Sequence, residues 1–312
     1  MTEPLFILHH YEASPYAEKI RLLLGAAGLS WRSVLSPPQP PRPNIDPLAG
    51  GYRRIPVAQI GADVFCDTAL IAEEVLALSN NTDLNSPATD PEVDELVERA
   101  EGDVFFAAIT SVPPLRVLST LLRSFGPLGA LRFIKDRGAM MKTAKVRPPK
   151  ASEAKALLDA HQAQLNAVLS RRDYLNGDGG QAGLADFSVY HALWLAKTVG
   201  QQPLPAGMEA LSDWFERIDA IGQGNRTEVA PSAAFEQARN HEPRAITEPG
   251  QDQRLGSRVA VAPNDYGLDP VGGTLVCAND SRIIVGRDTP DMGTVHVHFP
   301  LQGFEIRSVD AA

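Results

Sequence analysis

Three hydroxyl-bearing residues crowd one short stretch near the N-terminus: Tyr11, Ser14 and Tyr16. Ser14 stands before Pro15 and the run Glu18-Lys19-Ile20-Arg21-Leu22-Leu23-Leu24, where a helix begins. Free backbone N–H groups and the helix dipole point to such a position, which suits an anion or a polarised thiol. A plain helix cap accounts for Ser14 equally well. Asp67-Thr68 precedes a second apolar-periodic segment and carries the same two readings, cap or carboxylate-binding helix end. Arg53 and Arg54 offer two cations to a ligand carboxylate, or are two solvated surface charges.

Other reactive types are weaker signals. Cys66 lies in an apolar strand context and reads as a core thiol. His296 and His298 share one strand face, but two ligands are too few for a metal site. His9 and His10 end the first strand and have two readings, lining the cleft or, the one favoured, core or rim packing. Gly177-Asp178-Gly179-Gly180-Gln181-Ala182 matches a dinucleotide fingerprint, yet no strand precedes it and no βαβ unit surrounds it.

The elements that hold these residues follow from the pattern. Leu5 to Leu8 is continuously apolar, as in a strand covered on both faces. The helix after Ser14 puts Ala17, Ile20, Leu24 and Ala27 on one face, and Gly28 stops it. Trp31 to Leu35 makes a second strand. Residues 36–47 hold six prolines and read as an extended loop without a regular helix. Val57–Ile60 and Asp63–Cys66, split by Gly61-Ala62, form a hairpin, and Ala69–Leu76 is helical. Pro56 at the hairpin entrance suggests a cis peptide that leaves the backbone of Ile55 open to a ligand. Residues 80–90 form a polar linker. Helices follow over about 92–109, 115–145 (bent near Gly126-Pro127), 152–169, 184–198 and 208–221. The helix at 184–198 is apolar on almost every side, as in the middle of a bundle. Past a linker at 240–256, five short runs read as strands: 258–261, 274–277, 282–285, 294–299 and 304–307.

Length and composition bound the function. At 312 residues the chain has room for two domains, or for two and a fragment. A formal net charge of −9 argues against a general nucleic-acid binder. No apolar run approaches the ~20 residues that span a bilayer, so no membrane partner is expected. The N-terminus enters a strand directly and shows no secretory pattern. Two distant cysteines exclude a disulfide framework in practice and point to a reducing cytoplasm.

Taken together, residues 1 to about 235 resemble the glutathione S-transferase family. Four motifs carry the resemblance in the right order: Ser14-Pro15-Tyr16 before the first helix, Ile55-Pro56, Asp67-Thr68, and Gly183-Leu184-Ala185-Asp186. The resemblance implies an α/β thioredoxin-like domain over 1–82, an all-α helical bundle domain over 88–240, and outside the family pattern a small C-terminal β domain over 250–312. It implies glutathione as co-substrate, with no metal. Ser14, with Tyr11 and Tyr16 as alternatives, would donate a hydrogen bond to the sulfur. Ile55-Pro56 would bind the backbone of the glutathione cysteine and Asp67-Thr68 the γ-glutamyl group, while Arg53 or Arg54 would pair with the glycine carboxylate.

The expected activity is thiol activation for attack on a small electrophile, a detoxifying conjugation by a cytoplasmic homodimer. The acceptor pocket is expected between the domains, near residues 104–118. A binding or protein-interaction module without turnover is the rival. Two departures stand out: Asp67 where Glu or Gln is usual, and Gly183 where a capping Ser or Thr is usual. Serine in place of cysteine excludes disulfide exchange at position 14. Removal of residues 245–312 is expected to leave the thioredoxin-like core folded.

Overall fold

A computed structural model describes residues 4–85, 90–176 and 180–309. The first part runs β1 (Ile7–His10), α1 (Pro15–Ala26), β2 (Ser30–Leu35), α2 (Asp46–Ala49), β3 (Val57–Ile60), β4 (Asp63–Cys66) and α3 (Thr68–Leu78). β1 pairs parallel with β2 and antiparallel with β3, and β3 turns back into β4 through Gly61 at φ +64°. This is the thioredoxin-like unit. The Ile55–Pro56 peptide is cis.

Two local expectations shift. The first strand covers 7–10, not 5–8: Leu5 is 42% exposed, whereas His9 and His10 are fully buried. Each histidine has a buried hydrogen-bond partner through Nε2, although His9 Nδ1 has none among the described residues. His9 pairs with Gln59 at 3.3 Å and His10 with Ser33 at 2.8 Å. The proline-rich loop does contain one helical turn, α2. Its Pro47 falls in the first turn, where no N–H is needed, and the Asp46 carboxylate accepts from the Arg42 backbone N–H at 2.9 Å.

The helical part comprises α4 (Pro91–Glu101), α5 (Asp103–Ser111), α6 (Pro114–Thr143), α7 (Ala151–Leu169), α8 (Leu184–Trp194) and α9 (Glu209–Asp219). The helix expected over 92–109 breaks at Gly102, whose φ −108° and ψ −111° are not helical. α6 bends at Gly126, with φ +66°, ahead of Pro127. α8 is buried along its whole middle and runs into a π-helical turn over Leu195–Val199. The glycine-rich hexapeptide 177–182 falls partly outside the described residues.

β5 (Asn225–Glu228) and α10 (Pro231–Arg239) have no counterpart in the sequence pattern. β5 is polar because it lies at the sheet edge, parallel to β2. The C-terminal strands are β6 (Arg258–Pro263), β7 (Val271–Ala278), β8 (Arg282–Thr289), β9 (Gly293–Pro300) and β10 (Phe304–Ser308). β9 lies parallel to β4, with Asp63 opposite His296 and Phe65 opposite His298. The strand-rich C-terminal region therefore continues the thioredoxin-like sheet, in the order β10-β6-β7-β8-β9-β4-β3-β1-β2-β5.

The period of two along β1 divides the interior. Phe6 and Leu8 face α1, α3 and the helical part, in one core with Leu96, Phe187 and Trp214. Ile7 faces the opposite side, in a second core with Val34, Val57 and Val64 that also takes in Ala234, Val261, Leu275 and Phe299. That second core is shared between the N-terminal unit and the C-terminal strands. The expectation that residues 245–312 can be removed freely is thus corrected: their loss uncovers Ile7, Val57 and Val64 and bares the edge of β4.

Candidate functional site

Ser14 caps α1 as its position predicts. Its Oγ accepts the backbone N–H of Ala17 at 3.2 Å, and its own N–H donates to the Tyr11 carbonyl at 3.1 Å. A hydroxyl that accepts there still has its proton to donate elsewhere. α1 carries a buried charge pair, Arg21 Nε donating to Glu18 at 2.7 Å, and a half-buried one, Lys19 Nζ donating to the exposed Glu101 of α4 at 2.5 Å.

Asp67 caps α3. Its carboxylate accepts the Ala69 N–H at 3.0 Å, and it adopts φ +79°, a left-handed conformation that Asp tolerates better than most residues. Cys66 beside it is fully buried, and burial pushes its thiol pKa well up, so it is a core thiol with no nucleophilic role.

Two cavities meet beside these helix ends. A polar one of about 210 Å³ is lined by Tyr16, Tyr52, Arg54, Ile55, Pro56, Asp67, Thr68, Glu101, Asp265 and Tyr266. A larger one of about 460 Å³ lies between the thioredoxin-like unit and the helices. Tyr11, Ser14, Tyr16 and Arg53–Ile55 form one wall, and Phe105, Phe106, Ile109 and Val117 form another. Phe125, Phe133, Ile134, Met140 and Met141 of α6 complete it, beyond the segment that the sequence pointed to. Tyr16, Arg54, Ile55 and Tyr266 belong to both cavities and form the partition.

Tyr16 packs against Phe105 and His191, with ring centroids 4.7 and 4.8 Å apart. Burial, with Tyr266 facing it, raises its phenol pKa well above the usual range, so it is a neutral donor. Burial likewise lowers His191 to about 4, leaving it an uncharged ring. Arg54 lies 3.7 Å from Asp67, forms an ion pair with Asp265, donates to the Tyr266 carbonyl at 2.7 Å and stacks 4.1 Å over the Tyr266 ring. Burial works against its charge, and the acidic and phenolic groups around it more than reverse that, so its pKa is raised. Arg53 is in ion-pair contact with Asp136 of α6 and lies 4.0 Å from Asp269.

The named sequence positions therefore converge: Tyr11, Ser14, Tyr16, Arg53, Arg54, Ile55, Pro56, Asp67 and Thr68 all border one cavity or the other. Asp265 and Tyr266 were missed. They sit in the turn between β6 and β7, about 200 residues from Arg54, and no local pattern marks them. His296 and His298 gain a third neighbour, Asp63, with possible ligand atoms within 4.8 Å of one another. That carboxylate is already engaged. It accepts from His298 Nε2 at 2.7 Å and from the Arg244 backbone N–H at 2.9 Å.

The helical part carries its own anchor. Asp186 is fully buried and accepts from the backbone N–H groups of Leu175 and Gly183 and from Trp214 Nε1, at 2.9, 3.1 and 2.7 Å. Gly183 contributes no side chain to this cap, and the reason is spatial. A Cβ there would fall 1.5 Å from Asn176 Nδ2.

A thioredoxin-like unit with a hydroxyl at the N-cap of α1, a proline before β3 and an acid–hydroxyl pair at the start of α3, followed by a helical bundle, defines a two-part α/β and all-α architecture. Residues 8–83 match the model of the glutathione S-transferase N-terminal domain. A solved GST-like protein from Pseudomonas syringae is 31% identical, with a TM-score of 0.75, covering 99% of this chain and 100% of that one. The chain belongs to the glutathione S-transferase family. The same match includes the C-terminal strands, so they are shared with that relative. A glutathione S-transferase domain-containing protein from Marinobacter aquaeolei is 19% identical (TM-score 0.47) over 69% of this chain and 97% of that one. Gtt2 from Saccharomyces cerevisiae is 20% identical (TM-score 0.48) over 68% and 95%. No curated protein matches the chain in sequence.

Proposed function

We propose that the protein binds a glutathione-type thiol in the polar cavity and transfers it to an apolar electrophile in the larger one. The observation that carries this is the partition shared by the two cavities: a thiol held at Ile55-Pro56 and Asp67-Thr68 faces a pocket walled by aromatic and aliphatic side chains. A free thiol, with a pKa near ~8.5, is mostly protonated at neutral pH. A hydroxyl hydrogen bond to sulfur and the N-terminus of α1 favour the thiolate. We assign that role to Ser14, on the wall of the larger cavity, with Tyr11 and Tyr16 as alternative donors. The thiolate attacks carbon, a C–S bond forms, the leaving group departs with its electron pair, and the thiol proton passes to solvent.

The test is retention on immobilised glutathione followed by conjugation to a generic aryl halide. Turnover that tracks retained protein supports the proposal. Retention without turnover across a broad electrophile panel favours a binding module instead. The same proposal expects a homodimer in the cytoplasm. Leu118, Leu122 and Leu131 of α6 are exposed and offer apolar surface to a second copy. Sedimentation velocity gives the oligomeric state directly.

A further inference from the structure

Arg54, which lines the candidate thiol-peptide cavity, and Arg53, on the wall of the larger cavity, are both already matched by carboxylates of the chain itself. Arg54 is flanked by Asp265 on one side and Asp67 on the other, the latter at 3.7 Å. It also donates to the Tyr266 carbonyl and stacks on the Tyr266 ring. Arg53 is paired with Asp136 and has Asp269 at 4.0 Å. Two of these carboxylates, Asp265 and Asp269, come from the single turn that joins β6 to β7. That turn is itself fixed: the Lys145 N–H donates to the Asp265 carbonyl at 2.6 Å, and Tyr266 packs edge-on to Phe106 at 6.0 Å.

Electrostatics then decides what the polar cavity takes. Its walls carry Asp67, Glu101 and Asp265 against the one guanidinium of Arg54, and Glu101 is answered separately by Lys19. A ligand carboxylate that approaches Arg54 meets a cation already compensated twice and must displace Asp265 or sit beside it. Like charges at such range cost binding free energy. The cavity, at about 210 Å³, also lies below the range of ~300–1,000 Å³ usual for small-molecule sites.

Resting on the reading of the site as one for a γ-glutamyl thiol, we propose that Asp265 stands in for the ligand's far carboxylate. The site then prefers a thiol peptide whose far end is neutral or cationic, an amide, ester or amine cap, over the free tripeptide acid. Asp67-Thr68 remain to hold the γ-glutamyl end. Asp265 is thereby a specificity-determining residue supplied by the C-terminal strands.

The experiment is calorimetric titration of the full chain with glutathione and with its glycine amide, repeated on Asp265→Asn and Asp269→Asn. The wild type is expected to bind the amide about tenfold more tightly than the acid. Asp265→Asn is expected to bind the acid about tenfold more tightly than the wild type does, with the amide nearly unchanged, so that the preference disappears. Asp269→Asn serves as the charge control and is expected to shift the ratio less than threefold. Equal or tighter binding of the acid by the wild type overturns the proposal without recourse to any variant and leaves the glutathione reading intact. A ratio unchanged in Asp265→Asn overturns it as well. Binding of neither thiol to any of the three proteins overturns both.

Discussion

Asp63 on β4 and His298 on β9 are joined by a 2.7 Å hydrogen bond across the line where the C-terminal strands meet the thioredoxin-like sheet. Asp63 is 1% exposed and also accepts the Arg244 N–H, so one carboxylate satisfies donors from two parts of the C-terminal region. Its removal leaves the buried His298 donor without that acceptor, at about 1–3 kcal/mol, and frees the Arg244 N–H at the exposed side. Asp63→Ala is expected to lower the urea midpoint with little change in slope. Deleting residues 245–312 is expected to do more, because Val64 and Ile7 lose their cover. The truncated chain should aggregate on expression, and a soluble, cooperatively folding truncation would refute the shared core.

Ser14→Ala separates the two jobs assigned to that serine. Loss of the cap costs about 1 kcal/mol of stability. Loss of a hydroxyl that favours the thiolate costs more in rate, about 10²-fold in kcat/KM by comparison with other single donors to developing charge. The decisive readout is the ultraviolet absorbance of bound thiolate against pH. Its midpoint should move up toward ~8.5 in Ser14→Ala. A midpoint that moves only in Tyr16→Phe reassigns the donor to Tyr16.

The motifs near Ser14, Pro56 and Asp67 were legible because each is a local device: a cap, a proline before a strand, a cap again. Their gathering around two adjoining cavities follows from β1 and β3 lying side by side, a pairing that the hydrophobic period of either strand does not specify. Asp265 and Tyr266 were not legible, because their place depends on β9 pairing with β4 across some 230 residues. Short alternating strands say that a sheet forms but not which edge they join. For the histidines of β1 the sequence left core and rim packing open, and partners distant in sequence, Gln59 and Ser33, go with the interior position.

Those histidines set a pH limit. Burial holds His9, His161 and His191 at about 4 and His10 at about 3, the last aided by Arg21. In the unfolded chain each returns to about 6.5. Below that value the unfolded state binds protons that the folded state refuses, so stability falls as pH drops from about 6.5 toward 4 and is unaffected by these groups above it. Each contributes a slope of at most ~1.4 kcal/mol per pH unit within that window. Urea midpoints measured from pH 8 to 4 should be flat, then decline. His161 has no hydrogen-bond partner among the described residues, so His161→Leu should flatten the decline without harm at pH 8. An unchanged slope in that variant would remove His161 from the account.

Gly183 and Asn176 give a prediction about why this chain departs from its family at a cap. Serine at 183 supplies the missing N-cap acceptor for α8, worth about 1 kcal/mol over residues that cannot cap and only a few tenths over glycine. Its Cβ, however, would fall 1.5 Å from Asn176 Nδ2 and 2.5 Å from Asn176 Cγ. The Asn176 side chain must then leave its place beside the Asp186 network, an overpacking of the kind that costs about 1–3 kcal/mol. Gly183→Ser alone is therefore expected to destabilise despite improving the cap. Asn176→Ala removes the three atoms that obstruct the new Cβ, so the double variant Asn176→Ala/Gly183→Ser should recover most of the loss. Thermal unfolding of the two single variants and the double variant closes the cycle. Additive effects would mean that glycine at 183 answers to something other than Asn176, whereas a coupling of 1 kcal/mol or more assigns it to that one contact.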